Sequence, residues 1–296
     1  MPYTTLISTE QLAQHLDRDH LDSAALESGS FVVVDCRYDL AKEEWGLEQY
    51  RAGHAPGAVY ASLSHDLSGE KTGYNGRHPI PAAEILAATF SRLGIGHDTQ
   101  VIAYDQDTGM YASRLWWMLR YLGHDAVAVL DGGWAKWTRE QRPTRQGDER
   151  SAPAAFRMQP REELRLRVED VERIVKDRSA VLIDARGPER FEGQSEPLDR
   201  VPGHIPGARN HFYKANVAAD GTMLPDAELR TAVDTALAGI EPAQAVMYCG
   251  SGVSACHNLL ALEHIGITGV RLYPGSWSEW SADPNRPVET GPARRG

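Results

Sequence analysis

A cysteine followed by very small residues stands late in the sequence, in AVMYCGSGVSACH (245–257). Cys249 closes an apolar run, and Gly250, Ser251 and Gly252 come directly after it. A cysteine thiolate is a nucleophile, and backbone N–H groups that converge on it near a helix N-terminus favour that anion. Glycines let the backbone curl enough for this. The pattern predicts a nucleophilic cysteine in an anion-binding loop, although loops of this type also bind phosphate.

The sequence also repeats itself. Four segments of the N-terminal half have counterparts in the C-terminal half, in the same order and at a nearly constant offset. The pairs are FVVVDCR (31–37) and AVLIDAR (180–186), GHAPGAVY (53–60) and GHIPGARN (203–210), QVIAYD (100–105) and AVMYCG (245–250), and LDGGWAKW (130–137) and LYPGSWSEW (272–280). This ordered duplication indicates two homologous domains in tandem.

The duplication predicts an N-terminal domain over 1–142, a linker over 143–161 and a C-terminal domain over 162–296. The linker is rich in proline, arginine and small or polar residues and lacks periodicity. The two domains differ at the residue that follows the matched strands 101–104 and 245–248: the first domain has Asp105 there, and the second has Cys249. This asymmetry predicts that the C-terminal domain is catalytic and that the N-terminal domain is not.

Short apolar runs alternate with helical stretches in both halves, which is typical of an α/β fold with parallel strands flanked by helices. The predicted strands are 31–34, 101–104, 127–130, 181–183, 245–248 and 270–273. We expect Ser8 to cap the first helix, and two largely apolar helices over 112–123 and 254–266. Ligands collect at the carboxyl ends of such strands, and Cys249 follows one of them.

The composition narrows the classes of partner. The 296 residues carry a formal net charge of -10, which disfavours nucleic acid and anionic membrane surfaces as partners. The three cysteines have neither the number of a disulfide framework nor the spacing of a metal site. No signal sequence is recognisable at the start, and no apolar stretch approaches the roughly 20 residues of a membrane span. We expect a cytoplasmic protein.

The segment CGSGVSA (249–255) resembles the active-site loop of the tandem-domain rhodanese family of sulfurtransferases. The same resemblance is carried by GHIPGA (203–208), its copy GHAPGA (53–58), SRLWWMLRYLGH (113–124) and GSWSEW (275–280). It covers nearly the whole chain and implies two rhodanese-like domains, each a mostly parallel sheet flanked by helices. It also implies that only the C-terminal domain is catalytic, and that no metal or organic cofactor is needed.

The resemblance implies that Cys249 takes a sulfur from a small donor as a persulfide. A thiophilic acceptor, such as cyanide, a small thiol or thioredoxin, then removes that sulfur. Thiosulfate-using members typically carry basic residues after the cysteine, whereas Gly250, Ser251 and Gly252 are uncharged, as in the 3-mercaptopyruvate branch. Ser254 replaces the threonine usual in that branch. The expected donor is therefore 3-mercaptopyruvate.

The resemblance also implies residues that bind the donor. Gly252, Val253 and Ser254, together with Gly250, complete the cysteine loop. A donor carboxylate needs a cation, preferably a bidentate arginine. Arg190, in the Arg-Phe pair of GPERFEG (187–193), stands at one family position. Arg200 is the nearest candidate for the second arginine, although the local spacing differs from the family pattern.

The 3-mercaptopyruvate branch is also described with a relay of histidine, aspartate and the loop serine. His78 falls at the histidine position, and Ser251 is the serine, so both are candidate catalytic residues. The aspartate position holds Ser64, with Asp66 two residues further on. This departure puts the complete relay in doubt.

Three alternatives remain beside this hypothesis. The enzyme could use thiosulfate as its donor, or the chain could be a persulfide carrier that delivers sulfur to a protein partner. A phosphatase with a related cysteine loop needs an arginine at the helix start, where Ser254 and Ala255 stand. The last alternative is therefore disfavoured.

Overall fold

The computed structural model describes residues 2–21 and 31–293, and these divide into two compact units. Unit 1 contains the described residues of Met1–Gly69, Pro81–Arg161 and Ala218–Met223. Unit 2 contains those of Glu70–Ile80, Glu162–Val217 and Leu224–Gly296. Residues 70–80 therefore belong to unit 2, although they precede most of unit 1's helices in the sequence.

Unit 1 is built on a parallel five-stranded sheet. Its strands are β1 (Leu6–Ile7), β2 (Phe31–Asp35), β3 (Val59–Tyr60), β4 (Gln100–Tyr104) and β5 (Val127–Leu130). They lie in the order β1-β5-β4-β2-β3, and every pair is parallel. Because parallel strands point the same way, the loops that follow β2 and β4 meet at one edge of the sheet.

The helices of unit 1 connect these strands. They are Thr9–Leu21, Trp45–Ala52, Ala83–Arg92, Ala112–Tyr121 and Gly133–Arg139. The Ser8 hydroxyl accepts a hydrogen bond from the Gln11 N–H at 3.1 Å, which confirms the predicted N-cap. The Gln11 side chain accepts the Ser8 N–H in return at 2.9 Å, so the helix start is closed from both sides.

Unit 2 repeats this plan with a four-stranded sheet. Its strands are β6 (Val181–Asp184), β7 (Arg209–Asn210), β8 (Ala245–Tyr248) and β9 (Arg271–Leu272). They lie in the order β7-β6-β8-β9 and are all parallel, which confirms the predicted sheet type. β9 is shorter than the predicted 270–273, because Gly269 has a φ of +87° before it and Pro274 follows it closely.

The helices of unit 2 flank that sheet. The α-helices are Val168–Asp177, Pro188–Phe191, Asp226–Leu237, Ser254–His264 and Ser276–Trp280, and the short 3-10 helices are Glu162–Leu164, Tyr213–Asn216 and Pro242–Gln244. The core includes Phe191, Val246, Tyr248 and Trp277, all nearly inaccessible to solvent. Nothing in the described part of the chain is a helix long and apolar enough to cross a membrane.

Candidate active site

Cys249 directly follows β8, one of the two inner strands of unit 2, at the carboxyl end of its sheet. The residue is only 2 % exposed, and the loop residues 250–253 after it are buried as well. The helix Ser254–His264 begins directly after this loop, so its first N–H groups, which lack intrahelical partners, lie at the loop's end. A thiolate here is shielded from water and lies one short loop before the positive end of a helix dipole.

The loop is held by the first turn of the helix Ser276–Trp280. The Cys249 N–H donates to the Ser276 hydroxyl at 3.1 Å. The carbonyls of Cys249 and Gly250 accept from the N–H groups of Trp277 and Ser278, each at 2.9 Å. These three bonds fix the backbone on both sides of the sulfur-bearing carbon, so the nucleophile has a defined position before any donor arrives.

The loop at the equivalent place in unit 1 binds a carboxylate of the protein itself. Asp105 follows β4, as Cys249 follows β8, and its carboxylate is completely buried. It accepts four backbone N–H groups at 2.7–3.3 Å, from Asp107, Gly109, Tyr111 and Ala112. Burial raises the pKa of Asp105 to about 6, which still leaves it largely ionised at neutral pH. In unit 1 the loop after this inner strand thus binds an anion, which the protein itself supplies.

Ser251 and His78 meet in unit 2. His78 Nδ1 lies 2.8 Å from the Ser251 hydroxyl oxygen, and both side chains are buried. The two residues are 173 positions apart in the sequence, and the segment 70–80 brings the histidine to the cysteine loop. A histidine bonded to a hydroxyl can pass a proton along that bond.

The remaining loop residues set its shape. Gly252 has a φ of +74°, a conformation that favours glycine, and Val253 is buried directly before the helix. Ser254 is the first residue of the helix Ser254–His264. Cys256 is buried inside that helix, with its sulfur 3.3 Å from the Gly252 carbonyl.

Arg190 lies beside the cysteine loop. Both of its terminal nitrogens are 3.5 Å from the point that a Cβ on Gly250 would occupy. Its guanidinium donates to both carboxylate oxygens of Glu196, at 2.6 and 3.2 Å, and to Asp199 at 3.2 Å. Burial opposes the charge of Glu196, but Arg190 outweighs it and the pKa of Glu196 falls below its ordinary value. Glu196 thus holds Arg190 in place at the loop.

Arg186 forms a buried ion pair at the end of β6. Its guanidinium binds both oxygens of Asp184, at 2.6–3.1 Å, and the Gly203 carbonyl at 2.7 Å. It also lies 4.9 Å from the centre of the Trp277 ring. These contacts join the end of β6 to two neighbouring loops.

Arg200 lies apart from this arrangement. Its side chain is exposed, whereas that of its neighbour Asp199 is 4 % exposed and points into the unit. Burial raises the pKa of Asp199 above its ordinary value, although Arg77 and Arg190 act against this. Of the two arginines that sequence reasoning singled out, the structure brings only Arg190 to the cysteine loop.

Sequence reasoning missed Arg77. Its side chain pairs with Asp199, and its Nη2 lies 2.9 Å from the position of a Cβ on Gly250. The signal was available, since Arg77 directly precedes the candidate His78 in NGRHPIP (75–81). The family resemblance had placed His78 beside Ser251, but it assigned no role to the arginine next to that histidine.

The two residues near the expected aspartate position are engaged within unit 1. The Ser64 hydroxyl lies 2.6 Å from the Tyr38 hydroxyl. The Asp66 carboxylate pairs with Arg92 and accepts the Ser62 N–H at 2.8 Å. Within residues 2–21 and 31–293, no group of three or more His, Cys, Asp or Glu side chains could hold a metal ion.

Comparison with known proteins identifies the family to which this chain is similar. The profile of the rhodanese-like domain matches residues 9–140 and 167–283, once in each half of the chain. A Pseudomonas aeruginosa protein named "Probable 3-mercaptopyruvate sulfurtransferase" is 39% identical over 98% of this chain and 100% of its own length. Thiosulfate/3-mercaptopyruvate sulfurtransferase 2 of Arabidopsis thaliana is 33% identical over 95% of this chain and 87% of its own.

A solved structure agrees with these relatives. The 3-mercaptopyruvate sulfurtransferase of Leishmania major superimposes with a TM-score of 0.81 at 28% identity, over 96% of this chain and 75% of that one. The two matches to one domain profile, the two parallel sheets and the full-length relatives lead to the same conclusion. This chain belongs to the rhodanese family, as a sulfurtransferase with two rhodanese-like domains in tandem.

Proposed function

We propose that this protein moves a sulfur atom from 3-mercaptopyruvate, through a persulfide on Cys249, to a thiol or cyanide. The proposal is supported by one observation, that three features lie together at the loop around Cys249. A cysteine at a helix N-terminus is anchored on both sides, an arginine stands beside the next residue, and a histidine bonds the loop serine. The names of the relatives support the same donor.

The first half-reaction needs no external oxidant. The Cys249 thiolate attacks the donor sulfur, so that a sulfur–sulfur bond forms while the donor's carbon–sulfur bond breaks. The electrons of the broken bond leave on the carbon as the enolate of pyruvate. The proton of the donor thiol ends on that carbon, which gives pyruvate and the Cys249 persulfide anion. The persulfide is an anion at the same place as the thiolate, and the loop stabilises both in the same way.

The chain's own residues have separate parts in this step. Arg190 binds the donor carboxylate through the N–H groups that face the loop, and Gly250 leaves room for it because a Cβ there would crowd the arginines. Gly252, Val253 and Ser254 shape the loop around the donor sulfur. Ser251 and His78 carry the proton from the donor thiol towards the leaving carbon. Arg200 has no part in this step, since its side chain is exposed and lies apart from the loop.

The second half-reaction returns the thiolate. A nucleophile such as cyanide or a small thiol attacks the outer sulfur, and the sulfur–sulfur bond electrons return to Cys249. We propose small acceptors first, because Cys249 is nearly enclosed and a bulky partner has little room to reach its sulfur. Among protein acceptors we propose thioredoxin, which also attacks with a thiol.

Thiosulfate is the alternative donor, since the Arabidopsis relative is named for both substrates. Steady-state kinetics with each donor and one shared acceptor distinguish the two. We expect kcat/KM for mercaptopyruvate to exceed that for thiosulfate by at least about tenfold, because the loop residues after Cys249 carry no basic side chain to balance the second charge of a dianion. A higher kcat/KM for thiosulfate would reverse the assignment.

His78→Asn tests the proton path. Asparagine can still bond the Ser251 hydroxyl but cannot exchange a proton at neutral pH, so we expect kcat with mercaptopyruvate to fall about 100-fold with little change in KM. The matched control is His264→Asn, a partly exposed histidine of unit 2 that pairs with Asp226. If His78→Asn retains the kcat of the control variant, His78 has no part in proton transfer.

A further inference from the structure

We infer that Arg77 is a second cationic ligand for the anionic end of the sulfur donor, and that Arg77 and Arg190 form a two-arginine clamp over the cysteine loop. The inference rests on the proposed function, whose donor carries a carboxylate. It assigns the second arginine to the segment 70–80, rather than to the chain around Arg200.

Both arginines converge on one point. A Cβ built on Gly250 would lie 2.9 Å from Arg77 Nη2 and 3.5 Å from both terminal nitrogens of Arg190. Gly250 is the residue after the nucleophile, so the two guanidinium groups stand side by side next to Cys249. Two planar forks at this spacing can bind the oxygens of one carboxylate.

Arg77 is positioned by the same turn that anchors the cysteine loop. Its N–H donates to the Ser278 hydroxyl at 3.0 Å, while the Ser278 N–H donates to the Gly250 carbonyl at 2.9 Å. Gly76, with a φ of +87°, lets the chain approach this turn, because a Cβ there would lie 2.9 Å from the Gly275 carbonyl. Arg77 and Gly250 are therefore fixed to one short element.

Asp199 joins the two arginines without using all their donors. One oxygen of Asp199 accepts from Arg77 Nη1, and the other accepts from Arg190 Nη2. The Arg77 atom nearest to Gly250 is instead Nη2. The side chains of Arg77 and Arg190 are 26% and 22% exposed, whereas Asp199 is 4% exposed. The carboxylate thus lies behind the pair, and the guanidinium groups keep a face that an incoming anion can reach.

The rival explanation is that Arg77 only forms a structural bridge with Asp199. Alkylation of Cys249 distinguishes the anion-binding role of Arg77 from a purely structural one. Iodoacetate carries a carboxylate that iodoacetamide lacks, and both reagents react with the thiolate without any sulfur transfer. The rate ratio of the two reagents at Cys249 is measured by peptide mass mapping in the wild type, Arg77→Gln, Arg77→Lys and Arg173→Gln. Arg173 is a matched control, an exposed arginine of unit 2 paired with Asp170.

We expect Arg77→Gln to lower the iodoacetate-to-iodoacetamide ratio about tenfold, since one charge-assisted contact to the carboxylate is lost. Arg77→Lys keeps the charge without the planar fork and should recover part of the ratio, while Arg173→Gln keeps all of it. If the ratio is the same in Arg77→Gln and in the wild type at equal melting temperature, or if both Arg77 variants only unfold the protein, Arg77 is a structural bridge.

Steady-state kinetics of Arg77→Gln separate this inference from the proposed function and identify the anion. A rise in KM for mercaptopyruvate alone assigns the clamp to a carboxylate, and an equal rise for thiosulfate extends it to a sulfonate-like group. Failure of the wild type to use mercaptopyruvate would refute the proposed donor. If the iodoacetate-to-iodoacetamide rate ratio still depended on Arg77 in that case, the two-arginine clamp would be supported, and its ligand would be a different anionic donor.

Discussion

Cys249→Ser is expected to lower sulfur transfer by about 10⁴-fold or more, because a serine hydroxyl is neither ionised at neutral pH nor able to form a persulfide. The serine fits the same space and can leave the three anchoring backbone bonds of the loop in place. The loss would therefore report the chemistry of the sulfur and not a collapsed loop. Steady-state turnover of mercaptopyruvate measures it.

Intact-mass measurement checks the intermediate directly. After exposure to donor without acceptor, the wild type should gain about 32 Da, the mass of one sulfur, and Cys249→Ser should gain nothing. Cys256→Ser is the matched control, since Cys256 is buried and a serine can still donate to the Gly252 carbonyl. An adduct that persists in Cys249→Ser and disappears in Cys256→Ser would move the nucleophile to Cys256.

Arg190→Ala should raise KM for mercaptopyruvate about 100-fold, because a charge-assisted hydrogen bond to a carboxylate contributes about 1.5–3 kcal/mol. The KM for cyanide should change little, since cyanide has no carboxylate to bind. Both constants come from one steady-state experiment with two varied substrates. Equal rises in the two KM values would remove Arg190 from the donor site.

The same substitution also leaves Glu196 without one of its cations, so its effect on folding needs a separate measurement. Arg186 still contacts Glu196 at 3.1 Å, so the buried carboxylate keeps one partner. Arg190→Lys keeps the charge beside Glu196 but loses the fork, and it should raise KM by less than Arg190→Ala. Melting temperatures of both variants show whether a changed KM reflects binding or a loosened loop.

The Asp105 loop explains why the duplicated domain needs no cysteine to keep its shape. A carboxylate that accepts four backbone N–H groups fills the cradle permanently, so unit 1 has an internal anion where unit 2 forms one during turnover. The first domain thus holds a carboxylate at the position where the second domain has its cysteine, in a loop that is two residues longer before the next helix. This agrees with the asymmetry between Asp105 and Cys249 in the sequence.

The sequence by itself determined the features that depend on short-range patterns. The parallel α/β plan, the strand before Cys249 and the Ser8 cap follow from local periodicity or from residues three apart, and the duplication follows from matching short segments of the two halves. Hydrogen bonds over such distances form within one element or one turn, so their partners can be read along the chain.

Tertiary structure alone decided which distant segments complete the site. Arg77 reaches the loop around Cys249 because residues 70–80 pack with unit 2, which no local pattern predicts. For His78, the family resemblance suggested a place beside Ser251, and the structure supplies the contact. It also decided that Asp199 turns inward and Arg200 outward, a choice between adjacent side chains in a segment without helical or strand periodicity. Both results depend on the packing of loops at the sheet's edge, where long-range contacts and not backbone preferences fix each side chain.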